Sequence, residues 1–349
     1  EAYTSAKKLN GTGIVASDQR IDLSGESFIG QFRWYKPLSA TVNVASLSSA
    51  TDGTYTGMST DVADFVKTVR TFGAEQVNMQ EVVSKQDGLA KIARDFAEVR
   101  AQDEHDALLS VLKGVALSET ALGSTSGILD FDTDADAANT GFFVDVNAAG
   151  LHGAAATGAG DARKLFDSTG MGAARGERLF RSIGAAFKDY EPDYMYMVTS
   201  PEVMAELRAA NLVDDTTVTE GNLEFTTVFG GKFRLVMSRA NQMAAGATGL
   251  NAESTKCTFV IKPGSVASAA MPIPTPVEVD RAAASYMGGG STNVWYRWGY
   301  AMHPMGYDWI GTAAGDAGPT DVELATSGNW SLKFGTNTSA FVAIYTNAV

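Results

Sequence analysis

A single cysteine, Cys257, stands among 349 residues. That scarcity excludes an intrachain disulfide and any zinc cluster built on several thiolates. The expected role of Cys257 is that of a small buried apolar side chain. Histidine is almost as rare: His105, His152 and His303 lie far apart, and neither His-Glu-x-x-His nor Gly-x-Ser-x-Gly occurs, so metalloprotease and serine-hydrolase chemistry have no local signature. No run approaches the roughly 18 consecutive apolar residues of a membrane span. The opening EAYTSAKKLN also lacks a signal-like apolar core. These features lead us to expect a soluble protein made in a reducing compartment, with no membrane partner. Proline is sparse, at 9 residues, and no Ser/Gly-only tract is present, so any subdomains are interleaved and not strung on a linker. Positive charge is also short, with 27 basic against 40 acidic residues and a formal net charge of −13. Such a balance works against gripping phosphates through many Lys/Arg contacts, and sequence-specific DNA binding is not expected. It suits a wall that encloses nucleic acid without adhering to it.

What the chain does have is apolar mass, 45% of its residues. At this length that is enough to bury roughly three quarters of the unfolded surface. Residues 1–30 alternate Gly, Ser, Asp and single apolar residues without a sustained period, which reads as an extended arm in need of a partner surface. Between residues 31 and 73, QFRWYKPL and ATVNVASL read as strands around a turn cluster at Asp52-Gly53, with VADFVKTVRTF following. Asp-Gly between β-prone runs predicts a long hairpin, too polar to stand alone. From Ser84 to Leu117, Leu89, Ile92, Phe96, Val99, Leu108, Leu112 and Val115 recur at helical spacings. One helix over 84–117 is expected, with Ser84 as N-cap and Gly114 and Ser118 marking the far end. At 1.5 Å per residue it is a rod of roughly 45 Å.

Residues 119–172, rich in Ala, Gly and Asp, read as loop with short elements. Alternation follows: AARGERLFRSIGAAFKDY as helix, YMYMVTS as buried strand, and PEVMAELRAANLV as a helix capped by Ser200 with Pro201 first. FTTVFGGKFRLVMS then predicts a hairpin turning at Gly230-Gly231, and KCTFVIKPG a strand. The tail returns to strands in NVWYRWGYAMHP, NWSLKFG and SAFVAIYTN. Helix and strand in this succession define an α+β chain with a mixed sheet.

Motifs that carry chemistry are few. Asp130, Asp132, Asp134 and Asp136 open like a calcium loop, but Ala135 replaces the turn glycine and Gly141 the bidentate Glu, so a solvated turn is expected. GTGIVA at 11–16 fits Gly-x-Gly-x-x-Ala without a preceding apolar strand, and GGK at 230–232 lacks the remainder of a phosphate-binding loop. QDEHD at 102–106 interrupts the helical stripe and reads as a solvated or subunit-facing stretch. Glu104 and Asp106, the best carboxylate pair for a hydrolase, sit at i and i+2 and face different ways. No catalytic, cofactor-binding or metal residue is assigned, and no cofactor is expected.

The ordered set of segments resembles the major capsid proteins of tailed bacteriophages with the Hong Kong 97 type fold. An arm, a hairpin like that family's E-loop and a rod ending in LLSVLKGV like its spine helix come first. YMYMVTSPEVMAELRAANLVDD, GGKFRLVMS, FVIKPGSVA, PTPVEVDR, WGYAMHPMGYDWIG and PTDVELATSGNWSLKF then follow in family order. Order carries the resemblance, since each motif alone is weak, and residues 119–172 match nothing in it. The resemblance implies an N-terminal arm at 1–30, an E-loop hairpin at 31–73, a peripheral domain at 74–171 and 288–349 holding the spine helix, and an axial domain at 172–287. It implies a virion protein, made in the host cytoplasm, that forms hexamers and pentamers of an icosahedral head around double-stranded DNA. Neighbouring copies would meet through arm and hairpin, with scaffold, portal and decoration proteins as further partners. Arg33, Trp34 and Tyr35, with Asp52 and Gly53 at the turn, are the expected assembly contacts, because aromatic and Arg residues are enriched at interfaces. An encapsulin-like compartment and an acidic surface-layer protein are the structural alternatives.

Overall fold

The computed structural model describes residues 14–17, 21, 23, 27–35, 58, 60–85, 87–121, 143–145, 183, 192–209, 211–220, 223–238, 255–311, 318–333 and 341–347. In chain order its strands and helices are β1 Val15–Ser17, β2 Ile29–Tyr35, β3 Thr60–Val66, β4 Thr68–Val77, α1 Asn78–Ser84, α2 Gly88–Ala121, β5 Phe143–Asp145 and β6 Met195–Thr199. They continue with α3 Pro201–Ala209, β7 Val213–Glu220, β8 Leu223–Val228, β9 Phe233–Met237, β10 Thr255–Ile261, β11 Val266–Met271 and β12 Val277–Ala282. Last come β13 Ser291–Pro304, β14 Tyr307–Trp309, α4 Asp321–Leu324, β15 Trp330–Leu332 and β16 Phe341–Asn347.

While β2 with β3 and β14 with β15 form two-stranded sheets, two large sheets organise most of these elements. In the first, β13 is a long central rail that pairs with β4 along one edge. Along its other edge it pairs with β11 and then β12, end to end. The gap between β11 and β12 falls at Pro272, Pro274 and Pro276, residues with no N–H to give to a ladder. The second sheet has the order β5-β16-β10-β6-β9-β8-β7. Its strand β6 is buried at all five positions, which is why MYMVT reads as an apolar run without alternation.

Helix α2 joins the two sheets. Ala107, Leu108, Leu109, Val111, Leu112 and Val115 are buried between Val294, Tyr296, Trp298 and Tyr300 of β13 and Tyr196, Val198, Phe225, Val236, Phe259 and Ile261 of the second sheet. The N-terminal half is held more loosely. There Phe96 stacks on Tyr296 at 4.0 Å and meets Trp298 edge-on, while Leu89 is exposed.

Several boundaries differ from expectation. Ser84 does not cap the long helix, because it closes the separate helix α1, after which Lys85 turns left-handed at φ 54° and donates to Glu81 O. The cap is Asp87, whose carboxylate accepts from the Ala90 N–H at 3.1 Å. At the other end the helix runs through Gly114, where a methyl group would collide with the Leu324 carbonyl and the Trp330 ring. Close packing thus offsets the propensity cost of about 1 kcal/mol that marked this glycine as a terminus. Helix α3 stops earlier than expected: Asn211, at φ 54°, donates to Arg208 O and Leu212 to Leu207 O, a left-handed C-terminal cap that frees Val213 to begin β7. Its start is as expected, with Ser200 Oγ accepting from the Val203 N–H at 3.4 Å. The turn at Gly230-Gly231 is also present, with φ 67° and 85°, and the Asp214 carboxylate accepts from both glycine N–H groups.

Strand pairing runs across the expected hairpin and domain limits. The hairpin arms are β2 and β3, in register from Ile29↔Val66 to Tyr35↔Thr60. Residues 68–73, read as hairpin, belong to β4 and pair with β13. Strands β11 and β12, expected in the axial part, pair with β13, and β16, expected in the peripheral part, pairs with β10. Periodicity reveals that a segment is a strand but not which edge it joins. The helix expected over AARGERLFRSIGAAFKDY lies outside the described residues apart from the helical Ile183, as do residues 1–13, Asp52, Gly53, His152 and the Asp130 to Asp136 run.

Candidate assembly surfaces

The hairpin root is built by alternation. Along β2, Phe32 and Trp34 turn inward and are buried with Ala63 and Phe65 of β3 against Ala267 and Ala301. Arg33 and Tyr35 therefore turn outward, Tyr35 with 68% of its surface exposed. Of the three residues expected as contacts, Arg33 and Tyr35 are free to meet a partner, while Trp34 serves its own chain's core. Lys67, buried just past β3, donates its ammonium to Leu23 O at 3.2 Å and its N–H to Phe28 O at 2.7 Å. Asp308 accepts from the Asp64 N–H at 2.6 Å and pairs with Lys333 at 3.0 Å.

His303 sits beneath this root. Its ring meets Phe32 edge-on at 5.0 Å and lies 6.2 Å from Trp330. Nε2 faces the Tyr307 carbonyl at 2.9 Å and must donate, which leaves Nδ1 buried without a partner among the described residues. Burial pushes its pKa down to about 4, against the weaker upward pull of the Tyr307 carbonyl and Asp308. His105, on α2, meets Ser238 Oγ at the end of β9 at 2.9 Å. Burial first, and Lys113 second, lower it to about 4 as well.

A second polar knot ties the long helix to the first sheet. Asp103 accepts from Trp298 Nε1 and the Tyr300 hydroxyl at 3.0 Å each and from Arg70 Nε at 3.2 Å. Arg70 also donates to Asp321 and to Pro319 O, so β4, α2, β13 and α4 meet at one guanidinium. Helix α4 is fixed by the Thr320–Glu323 capping box. Burial and the adjacent Asp103 charge raise the Tyr300 pKa and keep its hydroxyl a donor.

The 102–106 stretch is thus structural at Asp103 and His105. Glu104 pairs with Arg100 at 2.9 Å, whereas Asp106 meets Gln102. Their carboxylates have separate partners and form no acid–base pair. Neither described histidine approaches a carboxylate that would orient it for general-base work. Among the described residues no group of three His, Cys, Asp or Glu side chains could hold a metal ion, and no helix is long and apolar enough to cross a membrane.

Sequence reasoning overlooked one surface. The face of the first sheet turned away from α2 carries Thr71, Gly73 and Glu75 on β4, Arg297, Trp295 and Asn293 on β13, and Glu278 and Asp280 on β12, side by side by register. Trp295 is 45% exposed, and its ring lies across Gly73, where a Cβ would clash with it. Only the antiparallel register brings β4 and β12 alongside this tryptophan, and no local motif foretells that.

No protein-family model matches the sequence, and no curated protein does. Among solved structures, the capsid of Ralstonia phage GP4 is similar over 96% of this chain and 87% of that one, with TM-score 0.51 and 10% identity. The chain has the fold of a tailed-phage capsid protein, the α+β Hong Kong 97 type. Lower scores, both 0.49, relate it to the capsid asymmetric unit of cyanophage Pam1, at 11% identity over 96% and 88% of the two chains, and to the acid-stable capsid of Helicobacter pylori bacteriophage KHP30, at 7% identity over 96% and 89%.

Proposed function

We propose that this chain is the major capsid protein of a tailed phage. Copies of it assemble into hexamers and pentamers of an icosahedral head that encloses double-stranded DNA, and its place is the virion. The observation that carries the reading is an architecture shared with the GP4 capsid over 96% of the chain. The hairpin adds to it: two arms rooted in the core, joined by a polar segment that lacks the apolar residues to make a core of its own. In this reading the first sheet with α2 forms the peripheral part and the second sheet the axial part. Scaffold, portal and decoration proteins are the further partners. DNA is enclosed by a chain of net charge −13 without sequence-specific grip.

The test is negative-stain microscopy with light scattering on the purified protein across concentration and salt. Closed particles or capsomer rings are expected. A monodisperse monomer throughout would overturn the assignment, and particles that co-purify with a cargo enzyme instead of DNA would redirect it to a protein compartment.

A further inference from the structure

Trp295 occupies an unusual place for so large a side chain, in the middle of a solvent-facing sheet with nearly half its surface bare. Its rim is acidic. Glu75 and Asp280 flank the neighbouring Asn293 on either side in register, and Glu278 lies opposite the tryptophan itself. Arg297 answers Glu278 at 2.6 Å, while the Glu75 carboxylate accepts only a neutral hydrogen bond, from the Tyr286 hydroxyl at 2.9 Å. Among the described residues Asp280 has no ion pair. The exposed aromatic face, with two carboxylates beside it, Glu75 and Asp280, whose charge is not matched among the described residues, has the chemistry to receive a guanidinium: the ring quadrupole and these carboxylates attract the same cation. Among the described residues of this face no such cation is supplied, since Arg297 is already engaged and Arg281 alternates to the other side of β12.

An unmatched cation beside an aromatic ring is found elsewhere in the chain. Arg33 and Tyr35 point outward from β2, both exposed, and among the described residues Arg33 has no ion pair. The two surfaces cannot satisfy each other within one chain, because β2 packs at the β11 end of the first sheet, against Ala267 and Ala301, whereas Trp295 lies at the β12 end. We propose that the Trp295 face is a docking plate for the hairpin root of a second copy. Arg33 stacks on the Trp295 ring and pairs with Asp280 and Glu75, and Tyr35 covers the rest of the plate. The contact is heterologous, joining a surface at one end of the ribbon to a different surface at the other, so each copy uses both, and the pattern closes into a ring when the rotation between copies divides a full turn. It rests on the capsid reading and names a contact through which copies recognise one another.

Charge exchange on the full-length chain tests it, with particle yield read by light scattering and microscopy and folding checked by thermal melting. Arg33→Glu and Asp280→Arg are each expected to lower the yield of closed particles about tenfold at fixed protein and salt, the size expected when one member of a charge pair is inverted at an interface. The double variant is expected to recover most of it. Trp295→Ala, which leaves the charges in place, is expected to fall with the single variants. Assembly of both charge variants at the wild-type level, or failure of the well-folded double variant to recover, overturns this contact while leaving the capsid assignment intact. A wild-type chain that forms no particles at all overturns both. Should Arg33→Glu fail to fold, Asp280→Arg on the exposed edge strand tests the same contact from the other side, with Arg33→Ala in place of the charge reversal.

Discussion

Two imidazoles, His105 and His303, have their charge suppressed by burial, and the sign of the resulting pH dependence is fixed. Each has a folded-state pKa of about 4, below its usual 6.5. The unfolded chain therefore binds protons first as the medium is acidified. Their contribution to stability is whole above pH 6.5, declines as pH falls towards 4, and then levels. Over that window each costs on the order of 3 kcal/mol when fully expressed. Urea denaturation at stepped pH should show wild-type stability dropping faster between pH 6.5 and 4.5 than that of His303→Gln, which keeps a donor for the Tyr307 carbonyl but cannot take up the proton. Equal slopes would mean that His303 is not held neutral. Because Phe32 of the hairpin forms one wall of this site, the local effect belongs to the hairpin root.

The long helix shows most plainly what was legible in the chain and what was not. Leu108, Leu112 and Val115 announced a buried stripe by their spacing, and the structure buries all three. Gly114 misled, because a glycine beside such a stripe can mark either an end or a close approach. Here the carbonyl of Leu324 and the indole of Trp330, which themselves share a 2.8 Å hydrogen bond, press against the helix at that point. Gly114→Ala, a change that stabilises most exposed helices, is expected to lower stability by roughly 1–3 kcal/mol, as overpacking does. A thermal melt decides the sign. Alternation along β2 likewise separated Phe32 and Trp34 from Arg33 and Tyr35, but only the packing of Ala267 and Ala301 tells which pair faces in. The Trp295 plate was illegible for a related reason: it is made by register between strands distant in sequence, and register is set by which faces are buried.

At the scale of the whole molecule, one core of described residues serves both sheets, built on α2, β13 and the strands of the second sheet. Replacing residues 36–59 by a two-residue Asn-Gly turn between Tyr35 and Thr60, which already face each other, should leave a folded protein with a melting temperature within a few degrees of wild type. Light scattering on that variant is expected to find capsomers or smaller species and no closed particles. Normal shells would remove the hairpin tip from assembly.

The interrupted edge of the first sheet has a mechanical consequence. Strand β13 pairs with β4 along the whole length of β4, whereas on its other edge the backbone runs on from β11 to β12 through Pro272, Pro274 and Pro276 without regular pairing, the Arg297 N–H to Pro276 O bond at 2.8 Å marking where the ladder resumes. A ladder that lacks rungs along one stretch keeps its length under tension, because both rails are whole, but yields to torsion where the rungs are missing. Where identical copies must fit sites of unequal curvature, the misfit in angle would collect at that point, sparing the close-packed interior on one side and the Trp295 plate on the other.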